Sequence, residues 1–433
     1  MLETLKTVLL NFQETELKPS IPRHTKITSI HGKATVCIGV RRSGKSTLMF
    51  QLMQHLVSSG VSKKNIAYIN FFDDRLHPLQ HGRLDIILEA YYSMYPEKKT
   101  TETVHFFFDE IQMVPAWEPF IERLLRTENC EVYITGSSAQ MLSKEIASQM
   151  RGRALSWELF PLSFTEYLRW KNIDYQEPLS STRRFFILQA FSEYCDKGGF
   201  PEVRDVEKDI RVKIHQEYVH AILFRDLIER HDIAHPKAVT DLAYWLVDNI
   251  TASYSINKLT CYLQSLGHKI TKASVAEYLE WFEDAYFFFS LRIFDGSLKK
   301  AQANPKKIYC IDSSLITSVA SNVLVNSGHL LENLIFIGLR RTYPAIFYYK
   351  TKAGREVDFL AQDHRRSRML VQVCESLRSE KTKEREVLAL QEAMEELGLS
   401  SGIIVTRNEE EEIKVPSGTI SIVPAWRFLL TIS

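Results

Sequence analysis

The chain has 433 residues, 45% of them hydrophobic and 25% charged, with a formal net charge of +1, ordinary for a soluble globular protein of two to four domains. The near-neutral balance excludes a global basic field for nucleic acid, and six scattered cysteines without a CxxC pair argue against a disulfide framework or a structural zinc. No apolar run reaches about 18 residues and no signal-peptide core opens the chain, so a cytoplasmic protein with no membrane partner is expected.

Residues 1–33 predict a short helix at 2–12 and then a polar connector with Pro19 and Pro22. The segment reads as a packing arm, with Arg23 within range of a nucleotide. Residues 34–40 are apolar and β-prone, as a buried strand should be. They run into Gly39, Val40, Arg41, Arg42, Ser43, Gly44, Lys45, Ser46 and Thr47, which fit the phosphate-loop pattern G-x-x-x-x-G-K-[ST]. Gly39 and Gly44 let the backbone wrap a polyphosphate and turn its N–H groups inward. Lys45 is placed to reach the outer phosphates, and the Ser46 hydroxyl to ligate magnesium. A helix starting near Lys45, with Leu48, Leu52 and Leu56 at helical spacing and Gly60 as its stop, points its positive end at the same anion.

A second strand is predicted at 65–72, ending in Asp73 and Asp74. These acids either hold water near magnesium or simply end the strand, and the second reading is favoured. The run Val-His-Phe-Phe-Phe at 104–108 delivers Asp109 and Glu110, a Walker B pattern. Asp109 would hold magnesium, and Glu110 would orient the attacking water. A further strand at 130–135 precedes Gly136, Ser137 and Ser138. As in additional-strand ATPases, it is expected between the two Walker strands, with Ser137 sensing the γ-phosphate and Thr135 and Ser138 behind it. A helix at 139–150 leads to Arg151 and Arg153. These are either arginine fingers for a neighbouring subunit or cations at a helix C-terminus. The last core strand is expected at 155–159.

Residues 161–235 predict helices with a sharp break at Gly198-Gly199-Phe200-Pro201. Residues 238–294 read as a winged helix, with helices at 238–250, 255–266 and 274–285 and a strand at 286–294. Glu277, Glu280, Glu283 and Asp284 on its third helix oppose phosphate approach, so packing or protein contact is favoured over DNA. Lys299, Lys300, Lys306 and Lys307 flank a strand at 308–311 and read as solvated charge. The remainder predicts a helix at 330–340, strands at 346–350, 355–361 and 369–373, a helix at 382–398 and a strand at 402–406. An acidic turn at 409–412 and a closing strand at 419–423 complete it.

Taken together, the phosphate loop, the Phe-Phe-Phe-Asp109-Glu110 run, Gly136-Ser-Ser, Arg151-Gly-Arg153-Ala, Phe160-Pro-Leu-Ser-Phe164, Gly198-Gly-Phe-Pro201 and Gly354-Arg-Glu-Val-Asp358-Phe carry a resemblance. The chain resembles the prokaryotic AAA+ ATPases that bear a C-terminal restriction-endonuclease-like domain of unknown function. The resemblance spans nearly the whole chain and implies an α/β fold. Its parts would be an arm (1–33), a P-loop AAA+ core with a parallel sheet (34–160), a helical lid (161–235), a winged-helix segment (236–325) and a nuclease-like α/β domain (326–433). Nucleases of the PD-(D/E)XK type gather three acids and a lysine around magnesium so that metal-activated water attacks a phosphodiester. The resemblance assigns Glu332 to the helix acid and Asp358 to the metal-binding aspartate. The Glu-x-Lys that should follow falls on Gln372-Val373-Cys374. A neutral glutamine is a weaker ligand and a cysteine carries no fixed positive charge, so this domain is expected to be inactive and reused for binding.

The expectation is therefore an ATPase that binds ATP with Mg2+ and uses hydrolysis to drive or gate a rearrangement of its C-terminal domains. A non-hydrolysing ATP switch for partner binding, and an ATP-regulated DNA-binding or DNA-processing protein, stay open. The C-terminal domains offer a surface for a protein partner. DNA is not supported by the net charge, and fingers acting in trans would require a homo-oligomer.

Overall fold

The computed structural model describes residues 1–81, 83–136, 150, 152–297, 299, 304–320 and 326–432, with the side chains of 80 and 81 outside the description. Ser137, Ser138, Arg151, Lys300 and residues 139–149 of the helix expected at 139–150 lie outside the described residues. The chain divides into two compact units, Met1–Phe160 and Pro161–Ser433.

The first unit is an α/β structure built on an all-parallel five-stranded sheet. Its strands are β1 (Ala34–Ile38), β2 (Ile66–Asn70), β3 (Val104–Asp109), β4 (Cys130–Gly136) and β5 (Ala154–Glu158), in the order β2-β3-β4-β1-β5. β1 and β3 are buried at every position, as parallel strands covered on both faces must be. β4 pairs with β1 on one side and with β3 on the other, the position expected from the sequence. Because β4 intervenes, the loops leaving β1 and β3 open a crevice at the carboxyl edge, where ligands of open α/β sheets bind. The helix Lys45–Ser58 packs Met49 and Met53 onto Ile66, Phe107 and Tyr133, and the Phe107 and Tyr133 rings stack at 4.3 Å. The N-terminal helix Leu2–Glu14 buries Leu5, Val8, Leu9 and Phe12 in this unit, and Phe12 meets the Tyr68 ring at 5.2 Å. The strand expected to run to residue 72 ends at Asn70, short of Asp73 and Asp74. Asp73 accepts from the Arg75 backbone N–H at 3.0 Å, and a 3-10 helix, Asp74–His81, begins there.

The second unit starts with helices Phe164–Trp170, Ser181–Lys197 and Lys208–Ala221, the last running into a π-helix, Ile222–Ile228. A capping box opens the first of them: Ser163 Oγ accepts from the Glu166 N–H, and Glu166 Oε2 accepts from the Ser163 N–H at 2.8 Å. The break at Gly198 and Gly199 is a close approach. The Gly199 N–H donates to Asp312 at 2.7 Å, and a Cβ on Gly198 would lie 2.3 Å from the same carboxylate. Helices Pro236–Asp248, Ile256–Ser265 and Lys272–Asp284 follow, with an antiparallel sheet ordered β6 (Ser253–Tyr254), β8 (Lys306–Cys310), β7 (Phe288–Leu291). The strand expected at 286–294 runs only over Phe288–Leu291, its start set back past Tyr286, which takes a left-handed φ of 56°.

After helices Ser313–Val319 and Ser327–Thr342 comes a six-stranded mixed sheet. Its strands are β9 (Ala345–Lys350), β10 (Glu356–Gln362), β11 (Arg368–Val373), β12 (Ser401–Thr406), β13 (Glu411–Val415) and β14 (Gly418–Pro424), ordered β13-β14-β12-β11-β10-β9. β11 and β12 run parallel, joined by the helix Glu380–Leu397, which lays Leu390 and Met394 on Leu360, Leu370, Ile404 and Ile420. Two expectations need correction. The acidic stretch at 409–412 feeds a strand, because Glu411 and Glu412 pair across β14 with their side chains exposed. A closing helix, Ala425–Thr431, was not anticipated; it buries Trp426, Phe428 and Leu429.

Candidate functional site

The first candidate site lies where β1 and β3 end. β1 gives way to the loop at Gly39, whose φ is 151°. A Cβ there would lie 2.1 Å from the Leu159 carbonyl oxygen, so the backbone can pass only as glycine. Gly44, with φ 98°, occupies the N-cap of the helix that starts at Lys45. The helix's first N–H groups, which have no partner within the helix, therefore face the loop. Lys45 is buried and donates to the Gly39 and Val40 carbonyls at 3.0 and 3.1 Å, so its ammonium is held over its own loop. The Ser43 hydroxyl is buried and has no hydrogen-bond partner among the described residues. Arg42 is exposed in the left-handed region at φ 65°, Arg41 lies 6.0 Å from the Phe72 ring, and Thr47 is exposed on the first helical turn.

Opposite, β3 carries Asp109 into the same crevice with no exposure. Tyr68 Oη donates to Asp109 Oδ2 at 2.8 Å, and the Thr135 hydroxyl donates to Oδ1. Burial and the adjacent Asp109 carboxylate push the Tyr68 phenol well above its ordinary range, so it stays a donor. Glu110 follows in the left-handed region at φ 57°, a conformation that costs of order 1–3 kcal/mol for a residue with a side chain. Its N–H donates to the Thr135 hydroxyl at 3.0 Å, and Gln112 donates to its carboxylate. Oxygen donors from Ser46 and Asp109 are the pair that would hold a divalent cation, and the Asp109 carboxylate is oriented by two hydroxyl donors. That donor set suits a hard cation.

Three residues take places that the sequence did not give them. Arg23, the residue of the packing arm expected to be able to approach a nucleotide, braces the loop: its guanidinium donates to the Ser43 carbonyl at 2.7 Å and to the Phe160 carbonyl at 2.6 Å. Tyr68 carried no signal beyond its place on a strand next to β3. Arg153 sits at the opposite edge of the sheet, where its carbonyl accepts from the Ala34 N–H at 2.8 Å. A five-residue strand separates that edge from the phosphate loop, roughly 16 Å at the usual rise. Within one chain Arg153 is therefore remote from Lys45.

A second cluster forms in the other unit. Lys307, on β8, was read as solvated; it is 4% exposed. Adjacent strand residues face opposite sides, so Lys306 and Lys307 cannot both point to water. The Lys307 ammonium lies 2.7 Å from Glu332, 3.0 Å from Asp358 and 3.3 Å from Glu356. Burial works against its charge, yet Asp358, Tyr309, Glu332 and Glu356 hold it well above the usual lysine range. Burial, and then the Asp358 charge, push the Glu332 carboxyl up to about 7.

Gln372 takes no place beside the ammonium. It accepts from the Asp358 N–H at 3.1 Å and donates to Glu386 at 2.8 Å, acting as a strut between β10 and the helix Glu380–Leu397. Cys374 contacts the Ser376 carbonyl at 3.2 Å. The structure thus brings Glu332 and Asp358 together and leaves Cys374 outside. It also supplies a lysine that the Glu-x-Lys register did not point to. Among the described residues, no group of three or more His, Cys, Asp or Glu is arranged to hold a metal ion.

Comparison with known proteins matches residues 31–168 to an AAA domain, residues 188–324 to a domain of unknown function (DUF8612) and residues 327–428 to a second one (DUF4143). Lys307 thus falls in one matched segment, and its partners Glu332, Glu356 and Asp358 in the next. The uncharacterized protein MJ1544 of Methanocaldococcus jannaschii is 35% identical, over 98% of this chain and 95% of that one. An uncharacterized protein of Haemophilus influenzae is 28% identical, over 76% and 79%. Among solved structures, the Aeropyrum pernix ORC1 protein in complex with DNA is similar at a TM-score of 0.32 and 12% identity, over 75% of this chain and 92% of that one. No helix among the described residues is long and apolar enough to cross a membrane.

Proposed function

We propose that this chain, which belongs to the family of the Methanocaldococcus jannaschii protein MJ1544, binds ATP with magnesium at its AAA domain and hydrolyses it. One observation carries the reading. The buried Lys45, a helix start with no side-chain cap, and a Ser43 hydroxyl unpartnered among the described residues stand across the crevice from Asp109, whose two oxygens are already oriented. Backbone N–H groups of residues 39–47 and the Lys45 ammonium bind the phosphates. Ser46 and Asp109 hold the cation, which supplies charge neutralisation when bound. Glu110, fixed through its N–H to Thr135, orients the water. Ser137 senses the γ-phosphate, and Arg151 and Arg153 act in trans in a homo-oligomer. The location of Arg153 at the far edge of the sheet favours action on a neighbour's nucleotide over its own. Hydrolysis would drive or gate a rearrangement of residues 161–433.

In those residues we read a helical lid (161–235), a winged-helix segment (236–325) and a nuclease-like domain (326–433). Three helices and a β6-β8-β7 sheet support the second reading. For the third, Glu332 and Asp358 support the fold, while Lys307 between them and the strut role of Gln372 favour an inactive centre. Magnesium-dependent cutting of DNA that disappears in Asp358→Ala would overturn the inactive reading.

The deciding experiment is phosphate release from ATP with magnesium, wild type against Glu110→Gln. Turnover that collapses in the variant while ATP binding is kept supports the hydrolase. Tight binding without turnover in either protein replaces it with a nucleotide switch that acts through partner binding.

A further inference from the structure

The second unit holds a cavity of about 340 Å3 whose lining includes none of Lys307, Glu332, Glu356 and Asp358. It opens beyond the carboxyl ends of β11 and β12, where Glu375 and Arg407 leave the sheet, and is walled by the helices Ser181–Lys197 and Ser327–Thr342. β11 and β12 are parallel neighbours, and the carboxyl ends of parallel strands are where open α/β sheets take ligands. The volume is in the range of small-molecule sites.

The chemistry of the lining is divided. Leu330, Leu334 and Ile337 form an apolar wall. Two lining acids are engaged elsewhere: Asp196 pairs with Arg211 at 2.6 Å, and Asp312 accepts from Gly199 and Ser314. Arg407 and Glu375 differ. The Arg407 guanidinium stacks 5.2 Å over the Phe191 ring and reaches the Cys195 sulfur at 3.5 Å, with no carboxylate partner among the described residues. Glu375 Oε2 is buried without a hydrogen-bond partner among the described residues. A planar guanidinium presents paired donors suited to a carboxylate or phosphate. A buried carboxylate oxygen without a donor costs free energy that a ligand N–H would recover. Burial pushes the Cys195 thiol up to about 11 against the pull of Arg407, so a neutral thiol, and no thiolate, faces the guanidinium.

We propose that this cavity binds a small zwitterion with an apolar body. Its oxyanion lies on Arg407, its ammonium or other N–H donor on Glu375, and its apolar part against Leu330, Leu334 and Ile337. An aliphatic amino acid has this pattern. The site is independent of the nucleotide reading.

The test is titration calorimetry on the full chain with L-leucine, leucine methyl ester, isovalerate and inorganic phosphate as probes. Leucine is expected to bind, with the ester and isovalerate each weakened at least tenfold. Arg407→Gln and Glu375→Gln should each weaken leucine by a similar factor. Leu334→Phe, which narrows the cavity and leaves both charged groups, should do the same while melting like wild type. Phosphate binding that is lost in Arg407→Gln but indifferent to Glu375→Gln would replace the zwitterion with a simple oxyanion. Failure of every probe to bind, or leucine binding unchanged in all three variants, overturns the proposal.

Discussion

Thr135 and Asp109, 26 positions apart on neighbouring strands, are joined side chain to side chain: the threonine hydroxyl donates to Oδ1 of the buried carboxylate. The same hydroxyl accepts from the Glu110 N–H, so one β4 side chain holds the Asp109 carboxylate and the backbone of the acid that follows it. A hydrogen bond to a charged group contributes about 1.5–3 kcal/mol. If it is needed in the transition state, Thr135→Val should slow ATP turnover by about 10- to 100-fold while ATP binding stays near wild type. Thr135→Ser, which keeps the hydroxyl, should retain most activity. Steady-state phosphate release with parallel ATP titrations reads both; equal rates in Val and wild type would remove the role.

Gly39→Ala should damage the first unit more than its size suggests. The new Cβ would meet the Leu159 carbonyl at 2.1 Å, and that residue's N–H is bonded to Ile38 at 2.7 Å, so β1 and β5 would have to part. Overpacking of this kind costs about 1–3 kcal/mol, with the left-handed φ adding to it. Denaturant unfolding should give a lower midpoint and ATP binding should be lost. Gly296→Ala, which meets nothing within 4 Å, should match wild type in both.

The candidate nucleotide crevice was legible because its chemistry is local in sequence. A glycine loop, a lysine and an aspartate after an apolar run each declare themselves within a few residues, and β4 falls between the Walker strands as expected. What supports those residues was hidden. Tyr68 reaches Asp109 across 41 positions and Arg23 reaches Phe160 across 137, distances over which no periodicity carries information. Lys307 was misread for a related reason. Its neighbours Lys299, Lys300 and Lys306 made a charge run, while the strand's alternation that turns Lys307 inward has consequences only once Glu332 and Asp358 are packed against it.

Removing the Lys307 charge should be costly. Lys307→Met would leave Glu332, Glu356 and Asp358 around a buried apolar group, and breaking a buried ion pair by deleting one partner costs about 3–5 kcal/mol. Adding Glu332→Gln and Asp358→Asn to Lys307→Met removes the stranded charge and should recover part of that loss. Guanidinium unfolding followed by a probe in residues 161–433 measures it. A Lys307→Met protein as stable as wild type would mean that the acids find water or protons without strain.

Glu332 should make the second unit lose stability as pH rises toward neutrality. Its carboxyl is held at about 7 in the folded chain, against 4.5 for an ordinary glutamate, chiefly because burial disfavours the charged form and Asp358 repels it. A raised carboxyl means that the folded state binds the proton more tightly than the unfolded state. The contribution is therefore complete below 4.5 and is lost as pH climbs through 7. It amounts to a few kcal/mol, about 1.4 for each unit between the two values. Glu332→Gln keeps a neutral, hydrogen-bonding side chain at all pH values. Unfolding free energy measured from pH 4.5 to 7.5 should fall less steeply in Glu332→Gln than in wild type, and parallel curves would assign the proton elsewhere in the Lys307 cluster.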